Sequence, residues 1–192
     1  QHIGMTYDGE AIRFYLNSSL IFENFVDGNF SQDYIGEFFI GIRPETYVED
    51  FIGGLDEISI WNTALNQEEI QANMNTELSG NESGLVGYWN FNEGSGSTLT
   101  DQTSNDNDGT ITGASWTGDG APVTAATTPT NTYSLNFDGS DDYVLVGDQS
   151  ELDVGDGDFT LQAVIKVSSS NSANGYVISK RHYSIGNGYE MY

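Results

Sequence analysis

A strand pattern runs directly into a short helix pattern between residues 54 and 74, and this pairing limits the folds open to the chain. From Leu55 to Trp61 the apolar side chains fall mostly at every second position, which predicts a half-buried β-strand ending near Trp61. Asn62 or Thr63 can then cap a helix that has early acidic residues and an apolar stripe. The segment therefore predicts a strand, a turn and one short helix near residues 63–75.

The same segment resembles the closing motif of laminin G-like, concanavalin A-like jelly-roll domains, in which a strand is followed by the start of a helix. The positions that match this motif are Phe51, Gly53, Leu55, Asp56, Glu57, Ile60, Trp61, Ala64, Leu65, Glu69 and Ile70. Residues 133–144 resemble the opening strands of that family, and residues 158–163 resemble the strand that comes next. The resemblance implies an all-β fold, an antiparallel β-sandwich of the jelly-roll type with the short helix near 63–75.

The segments that resemble the family occur in inverted order. The segment that matches the end of the domain precedes the segments that match its start. Residues 1–80 resemble the C-terminal half of a laminin G-like domain, and residues 133–192 resemble an N-terminal half. Residues 81–132 between them hold a strand, an Asn/Asp-rich loop and a linker. Three origins fit: a piece of a tandem array, a permuted sandwich in which 133–192 folds back on 1–78, or halves completed by neighbouring chains. We favour a piece of a long repeat protein, since tandem modules are a common extracellular design.

The chain is strongly acidic, with 29 Asp and Glu against 5 Lys and Arg and a formal net charge of −24. The electrostatic field of this negative charge repels nucleic acid and anionic membranes, so we expect neither as a partner. No apolar run is long enough to span a membrane, so we expect no membrane insertion. The chain has no Cys and therefore no disulfide bonds, which makes bound metal ions the more natural stabilising element. Its negative charge makes cations natural partners.

An Asn/Asp-rich loop follows a Gly-rich turn in the middle of the chain. Calcium binds roughly six to eight oxygen atoms from carboxylates, amides, carbonyls and water, which such a loop can supply. The loop resembles a laminin G-like segment that helps to hold a structural calcium ion. The resemblance implies that the closing strand supplies a ligand close to the same ion. The predicted calcium ligands are Asp101, Asn105, Asn107, Asp56 and Glu93. The alternative is a metal-free loop whose Asp and Asn side chains bond their own backbone.

Aromatic residues are frequent, with 11 Tyr, 10 Phe and 3 Trp. Most fall in strand patterns and are expected in the sandwich core. An exposed ring beside Asp or Asn can instead stack on the C–H face of a sugar. The aromatic residues in loop-like contexts, and therefore the candidates for ligand binding, are Tyr34, Tyr47, Trp116 and Tyr183.

The motifs of common hydrolases are missing from the sequence, which has no Cys, no Gly-x-Ser-x-Gly and no His-Glu-x-x-His. Glu57 is the best candidate for carboxylate chemistry, because jelly-roll glycosidases use strand glutamates, but no glycosidase signature accompanies it. We therefore predict that the protein is not an enzyme.

The prediction for function is a non-catalytic extracellular adhesion or assembly module of a multi-repeat surface protein, stabilised by calcium. Its partners would be neighbouring repeats or copies of itself. One alternative is a carbohydrate-binding module that takes cell-surface glycans, and another is a filament subunit formed by strand or half-domain completion between chains. Residues 73–82 resemble a junction of large bacterial surface proteins, which implies a bacterial protein that is secreted or held at the cell surface.

Overall fold

The computed structural model describes residues 1–26, 36–43, 50–121, 131–154, 157–167, 175–181 and 188–192. Within these residues the chain forms fourteen strands, one α-helix and one short 3-10 helix, Ser150–Leu152. The strands are β1 (His2–Tyr7), β2 (Ala11–Leu16), β3 (Ser19–Phe25), β4 (Phe38–Ile40), β5 (Ile52–Trp61), β6 (Leu85–Trp89), β7 (Thr98–Leu99), β8 (Gly109–Thr112), β9 (Ser115–Thr117), β10 (Ser134–Asp138), β11 (Tyr143–Gly147), β12 (Phe159–Val167), β13 (Ile178–Arg181) and β14 (Gly188–Met191). The helix α1 is Gln67–Asn73.

The strands form two antiparallel sheets that pack face to face. The first has the order β3-β2-β1-β12-β5-β10-β9, and β6 also pairs with β5. The second has the order β14-β13-β4-β11-β8-β7. The predicted all-β antiparallel sandwich with one short helix is confirmed.

Strands from the two ends of the chain alternate within the first sheet. β12 lies between β1 and β5, with His2 opposite Val164 on one side and Trp61 opposite Thr160 on the other. β10 pairs with the opposite edge of β5, where Leu135 faces Leu55. This pairing within one chain is the geometry that a self-closed, permuted sandwich requires. The predicted divisions at residues 80 and 132, and the origin of the two halves, stay predictions.

The core lies between the sheets and draws apolar residues from both of them. Leu55 and Leu161 of the first sheet are fully buried, as are Phe38 and Ile40 of the second. The Phe38 ring stacks on the Trp89 ring of β6 at a centroid distance of 5.5 Å, so this pair joins the two layers. β11 shows the period of two that the sequence predicts, since Val144 and Val146 are buried while the residues between and beside them are partly exposed.

The helix begins later than the sequence predicts. Neither Asn62 nor Thr63 caps it, because Thr63 O and the Leu65 amide are both bonded to the Thr160 hydroxyl of β12, at 2.7 and 2.8 Å. The cap is Asn66, whose Oδ1 accepts the Glu69 amide at 3.0 Å while Glu69 Oε2 accepts the Asn66 amide at 2.8 Å. This reciprocal pair is a capping box, and it lies three residues beyond Thr63 and four beyond Asn62, the two predicted caps.

Replacing the cap, Asn66→Ala, should lower the free energy of unfolding by about 1 kcal/mol, because the Glu69 amide loses its side-chain acceptor. Urea unfolding checks this value. Asn62→Ala is the matched control, since Asn62 is exposed and lies outside the helix. Equal losses in the two variants would contradict the assignment of the cap.

A second apolar cluster covers part of the outer face of the first sheet. Leu65, Ile70 and Leu78, from α1 and its flanking segments, pack there against Tyr15, Trp61, Leu85 and Tyr88. The outward-facing side chains of β12 show where this cover ends, since Thr160 is fully buried whereas Lys166 is exposed. The outer face therefore has a covered half under the helix and an open half at the far end of β12.

Candidate functional site

A groove of about 610 Å³ lies on the open half of the outer face. Strands β5, β10 and β12 and the segment after β9 line it, with Gly54, Asp56, Asp119, Ser134, Val164 and Lys166 among the lining residues. Its volume is in the range of sites that bind small molecules, and its lining combines apolar side chains with a few polar groups. The groove is therefore the candidate binding site.

Asp56 forms the buried end of the groove and is 3% exposed. Its Oδ1 accepts the Glu57 amide at 2.9 Å, and its Oδ2 accepts the Ala121 amide at 2.6 Å and Asn131 Nδ2 at 3.1 Å. A carboxylate offers about four acceptor positions. Three are filled by the protein, which leaves one for a group in the groove.

Asp56 and Glu57 form a buried pair of carboxyl groups that both accept a hydrogen bond from the side-chain amide of Asn131. In a regular strand, neighbouring side chains point to opposite faces, but Glu57 has φ +50°, and the pairing of β5 with β12 shifts register nearby. Asn131 Nδ2 consequently donates to both carboxyl groups, reaching Glu57 Oε1 at 2.7 Å. The Tyr88 hydroxyl donates to Glu57 Oε2.

Burial raises the pKa of both carboxyl groups. The pKa of Asp56 rises to about 7, and the pKa of Glu57 rises to about 8, where the charge of Asp56 adds to the effect of burial. Burial also raises the pKa of Tyr88, and the negative charge of Glu57 contributes. Near neutral pH the environment therefore favours the protonated form of Glu57, whereas Asp56 lies close to the midpoint of its titration.

The two carboxyl groups open to different spaces. Asp56 lines the groove, whereas Glu57 lines a separate cavity of about 10 Å³ together with His2 and Gln162. That cavity has room for about one water molecule. Burial lowers the pKa of His2 to about 4, so the imidazole is neutral at pH 7. Glu57, the sequence's best candidate for carboxylate chemistry, is thus turned away from the groove.

An exposed ion pair forms the rim of the groove. Lys166 Nζ contacts Asp119 Oδ2, and the two side chains are 72% and 57% exposed. Both signs of charge are therefore presented at the mouth, while the apolar Val164 and Val167 lie along the β12 side. The groove offers hydrogen-bond donors, acceptors and an apolar wall in one concavity.

The sequence of the first part of the chain matches a known family model. Residues 1–71 match the model described as the concanavalin A-like lectin/glucanases superfamily, a laminin G-type model. These residues are similar to the laminin G-like family over somewhat more than a third of the chain. The match spans β1 to β5 and most of α1, and it supports a lectin-like or adhesion-type module. No curated protein and no solved structure gives a match to the chain.

The Asn/Asp-rich loop lies beside this laminin G-like part, and the protein's own hydrogen bonds fill the Asp101 carboxylate. Asp101 Oδ1 accepts the amides of Tyr88 at 3.0 Å and Thr103 at 2.9 Å. Its Oδ2 accepts the Thr103 hydroxyl at 2.8 Å and the Asn107 amide at 3.0 Å. All of its roughly four acceptor positions are therefore taken. These hydrogen bonds within the loop and to its flanking strand are the kind that a metal-free loop would form.

The amide side chains of the loop point their nitrogen atoms inward. Asn105 Nδ2 and Asn107 Nδ2 both donate to Val86 O, at 2.9 and 3.0 Å. Asn107 Oδ1 is buried without a hydrogen-bond partner. Glu93 Oε1 accepts the Thr100 amide at 2.8 Å, and its Oε2 is buried without a partner as well. The two open oxygens are the strongest argument for a ligand at this loop.

The five predicted calcium ligands do not form one cage. Asp101, Asn105 and Asn107 share a loop, whereas Asp56 lies at the groove, and Tyr88 separates the two groups by bonding Asp101 through its amide and Glu57 through its hydroxyl. Within the described residues, no three His, Cys, Asp or Glu side chains come together in a way that could hold a metal ion. The predicted ligand set and calcium binding itself stay predictions.

Only one of the predicted ligand-binding aromatics can be placed. Trp116 lies in β9, where its Nε1 donates to Gly96 O at 3.0 Å and its ring packs partly buried against the core. It does not line the groove. Tyr34, Tyr47 and Tyr183 lie outside the described residues.

Sequence reasoning missed the residues that complete the carboxyl pair. Ala121 and Asn131 belong to a segment with the composition of a linker, yet both donate to Asp56. The only sign of this contact in the sequence is that the side-chain amide of an Asn in such a segment can donate two hydrogen bonds. Among the described residues, no helix is long and apolar enough to cross a membrane.

Proposed function

We propose that this protein is a non-catalytic recognition module that binds carbohydrate in the groove of its first sheet and thereby serves extracellular adhesion. The observation that carries this proposal is the groove of about 610 Å³ that ends at the buried Asp56. The match of residues 1–71 to the lectin-like superfamily supports the same class of function.

The lining suits a ligand with many hydroxyl groups. Asp56 has one acceptor position left, Ser134 can donate and accept, and the Lys166–Asp119 pair presents a donor and acceptors at the rim. The apolar side chains of Val164 and Val167 can contact the C–H groups of a sugar ring. The described lining contains no aromatic ring, so we expect modest affinity for each site. Adhesion would then depend on several modules acting together.

The arrangement of carboxyl groups supports binding rather than hydrolysis. A glycosidase places two carboxyl groups about 5 to 10 Å apart on either side of the bond that it cleaves. Asp56 opens to the groove, but Glu57 lies in the separate cavity behind Tyr88 and Asn131. Asp119, the other carboxylate of the described lining, is paired with Lys166.

A single substitution can close the groove without disturbing the sheet. A Cβ atom at Gly54 would lie 3.5 Å from Lys166 Cβ and 3.8 Å from Ser134 Oγ, which are ordinary contacts. The longer side chain of Gly54→Leu would then extend into the groove. Ser115→Leu is the matched control, because it adds the same side chain at an exposed position of β9.

The experiment screens the wild-type chain on a glycan array and measures the best glycan by titration calorimetry, with calcium and with chelator. We expect Gly54→Leu to raise Kd at least about tenfold and Ser115→Leu to leave it unchanged. Failure of the wild-type chain to bind any glycan, or wild-type affinity in Gly54→Leu, would overturn the proposal. Dependence on calcium would support the calcium prediction, and independence would contradict it.

The proposed role places the module outside the cell, as part of a bacterial surface protein. The strong acidic charge supports this placement, because it keeps an exposed protein soluble. Assembly with neighbouring repeats or other copies remains compatible with glycan binding, since the groove uses only one half of one face of the sandwich.

A further inference from the structure

β3 forms one edge of the first sheet and exposes every one of its seven residues. It pairs with β2 on one side, and no described strand pairs with its other side. The backbone donors and acceptors on that side are therefore available to an added strand.

The exposed side chains of β3 are unusually apolar. Leu20, Ile21, Phe22 and Phe25 are 45%, 63%, 53% and 71% exposed. Only three other large hydrophobic side chains of the described residues are exposed, and they are spread over distant segments: Tyr133, Val167 and Tyr192. Natural edge strands are commonly protected by lysine or proline, and β3 contains neither. A concentration of apolar surface on one free edge marks an interaction site.

We propose that β3 accepts an extended segment of a partner polypeptide, with alternating apolar and basic residues, as an additional strand of the first sheet. The two faces of β3 set this pattern. On one face Phe22 lies opposite Phe14, with ring centroids 5.8 Å apart, and offers an apolar contact. On the other face Glu23 lies opposite Arg13 and offers a carboxylate. A strand with a period of two places an apolar side chain on the first face and a basic one on the second.

Charge favours a basic partner over a second copy of this chain. Asp8, Glu10 and Glu23 lie at this edge, and Arg13, the one cation among the residues described there, is already held between Asp8 and Glu23. A second copy would bring the same acidic edge and its own net charge of −24 into contact. Like charges at an interface are repulsive, whereas basic side chains would be attracted and steered to the edge.

The probe is a short synthetic peptide in which valine and lysine alternate. A second peptide has the same composition with the valines and lysines in separate blocks, so it carries equal charge without the strand pattern. Binding to the full chain is followed by fluorescence anisotropy. Protection of the β3 backbone amides is followed by hydrogen exchange, which reports strand addition directly.

Two variants locate the binding site. Ile21→Ser with Phe22→Ser removes exposed apolar surface from β3, including the ring on its apolar face, and leaves the charge unchanged. Val167→Ser is the matched control, because it removes an exposed apolar side chain from the groove. We expect the alternating peptide to bind the β3 double variant at least about tenfold more weakly than it binds the wild type, and Val167→Ser with the wild-type affinity. We expect the block peptide to bind the wild type at least about tenfold more weakly than the alternating peptide does.

Four results would overturn the proposal. The first is equal binding of the two peptides, which would mean attraction by charge alone. The second is unchanged affinity in the β3 double variant, and the third is an equal loss in Val167→Ser, which would place the peptide in the groove. The fourth is self-association of the wild-type chain in light scattering that the β3 double variant abolishes, which would make a second copy the occupant. Loss of glycan binding in Gly54→Leu is independent of all four.

Discussion

Replacing Lys180 by methionine should lower the free energy of unfolding by about 2 kcal/mol, because it removes a buried ammonium group that serves two partly exposed carboxylates and two carbonyl groups. The Lys180 side chain is fully buried, and its ammonium group lies in a shell of oxygen atoms. Nζ is 2.9 Å from Gly36 O, 3.0 Å from Asp153 Oδ1, 3.3 Å from Asp148 Oδ1 and 3.4 Å from Gln149 O. Methionine fills a similar volume but leaves two carboxylates and two carbonyl groups without their donor.

The matched control for this prediction is Lys166→Met, at a second ion pair in the same protein. The Lys166–Asp119 pair is largely exposed, and an exposed pair contributes only about 0–1 kcal/mol. Urea unfolding of the two variants beside the wild type makes the comparison. Equal losses for Lys180→Met and Lys166→Met would contradict the role assigned to the buried ammonium group.

Local sequence patterns predicted the strands and helix of the closing motif because the forces that shape them act over a few residues. The alternation from Leu55 to Trp61 reflects the side chains that β5 sends into the core, and it is visible in the sequence. The prediction of a half-buried strand was wrong, because the segment around α1 covers the other face and all seven residues are buried. The predicted cap of α1 was wrong by three or four residues, because Thr63 is instead bonded to Thr160, which is 97 residues away. A contact at that distance leaves no mark on the local pattern.

The candidate site shows the same division between local and distant contacts. Asp56 was singled out from its motif, but the sequence assigned it to a calcium site, whereas in the structure it is bound by Asn131 from a segment 75 residues away. Lys180 could not be recognised as a buried cation, because its oxygen partners come from Gly36, Asp148, Gln149 and Asp153. A charged side chain in a strand is normally expected to be solvated.

The exposure of β3 could not be predicted either. Its Leu, Ile and Phe residues favour a strand, and the sequence pattern does not distinguish a central strand from an edge strand. Position in a sheet is decided by which strands pair, and here residues 159–167 occupy the central place beside β1. The open edge therefore results from topology rather than from composition.

The stability of the protein should fall as pH rises from about 4 to about 8, because folding raises the pKa of two carboxyl groups. The pKa of Glu57 rises from 4.5 to about 8 and that of Asp56 from 3.8 to about 7, in both cases mainly through burial. Between the unfolded and folded values the folded chain holds protons that the unfolded chain has released. Their contribution to stability is fully present below the unfolded pKa and is lost as pH rises through the folded pKa.

The substitution Glu57→Gln tests this directly, because glutamine is neutral at every pH and keeps an oxygen acceptor for Asn131. Near pH 5, Glu57 is protonated in the folded chain, so we expect the variant and the wild type to have similar free energies of unfolding. Near pH 9, Glu57 is ionised in both states, and its burial then costs the wild type stability. We expect Glu57→Gln to be more stable there, on the order of 2–4 kcal/mol.

Urea unfolding near both pH values measures the difference. Glu68→Gln on the exposed surface of α1 is the control, and it should change the free energy of unfolding little at either pH. Because Asp56 still titrates in the Glu57→Gln variant, the decline of stability with pH should become shallower without vanishing. An unchanged slope would mean that Glu57 is solvated when ionised, which is incompatible with its contacts to Tyr88 and Asn131 beneath the helix-covered face.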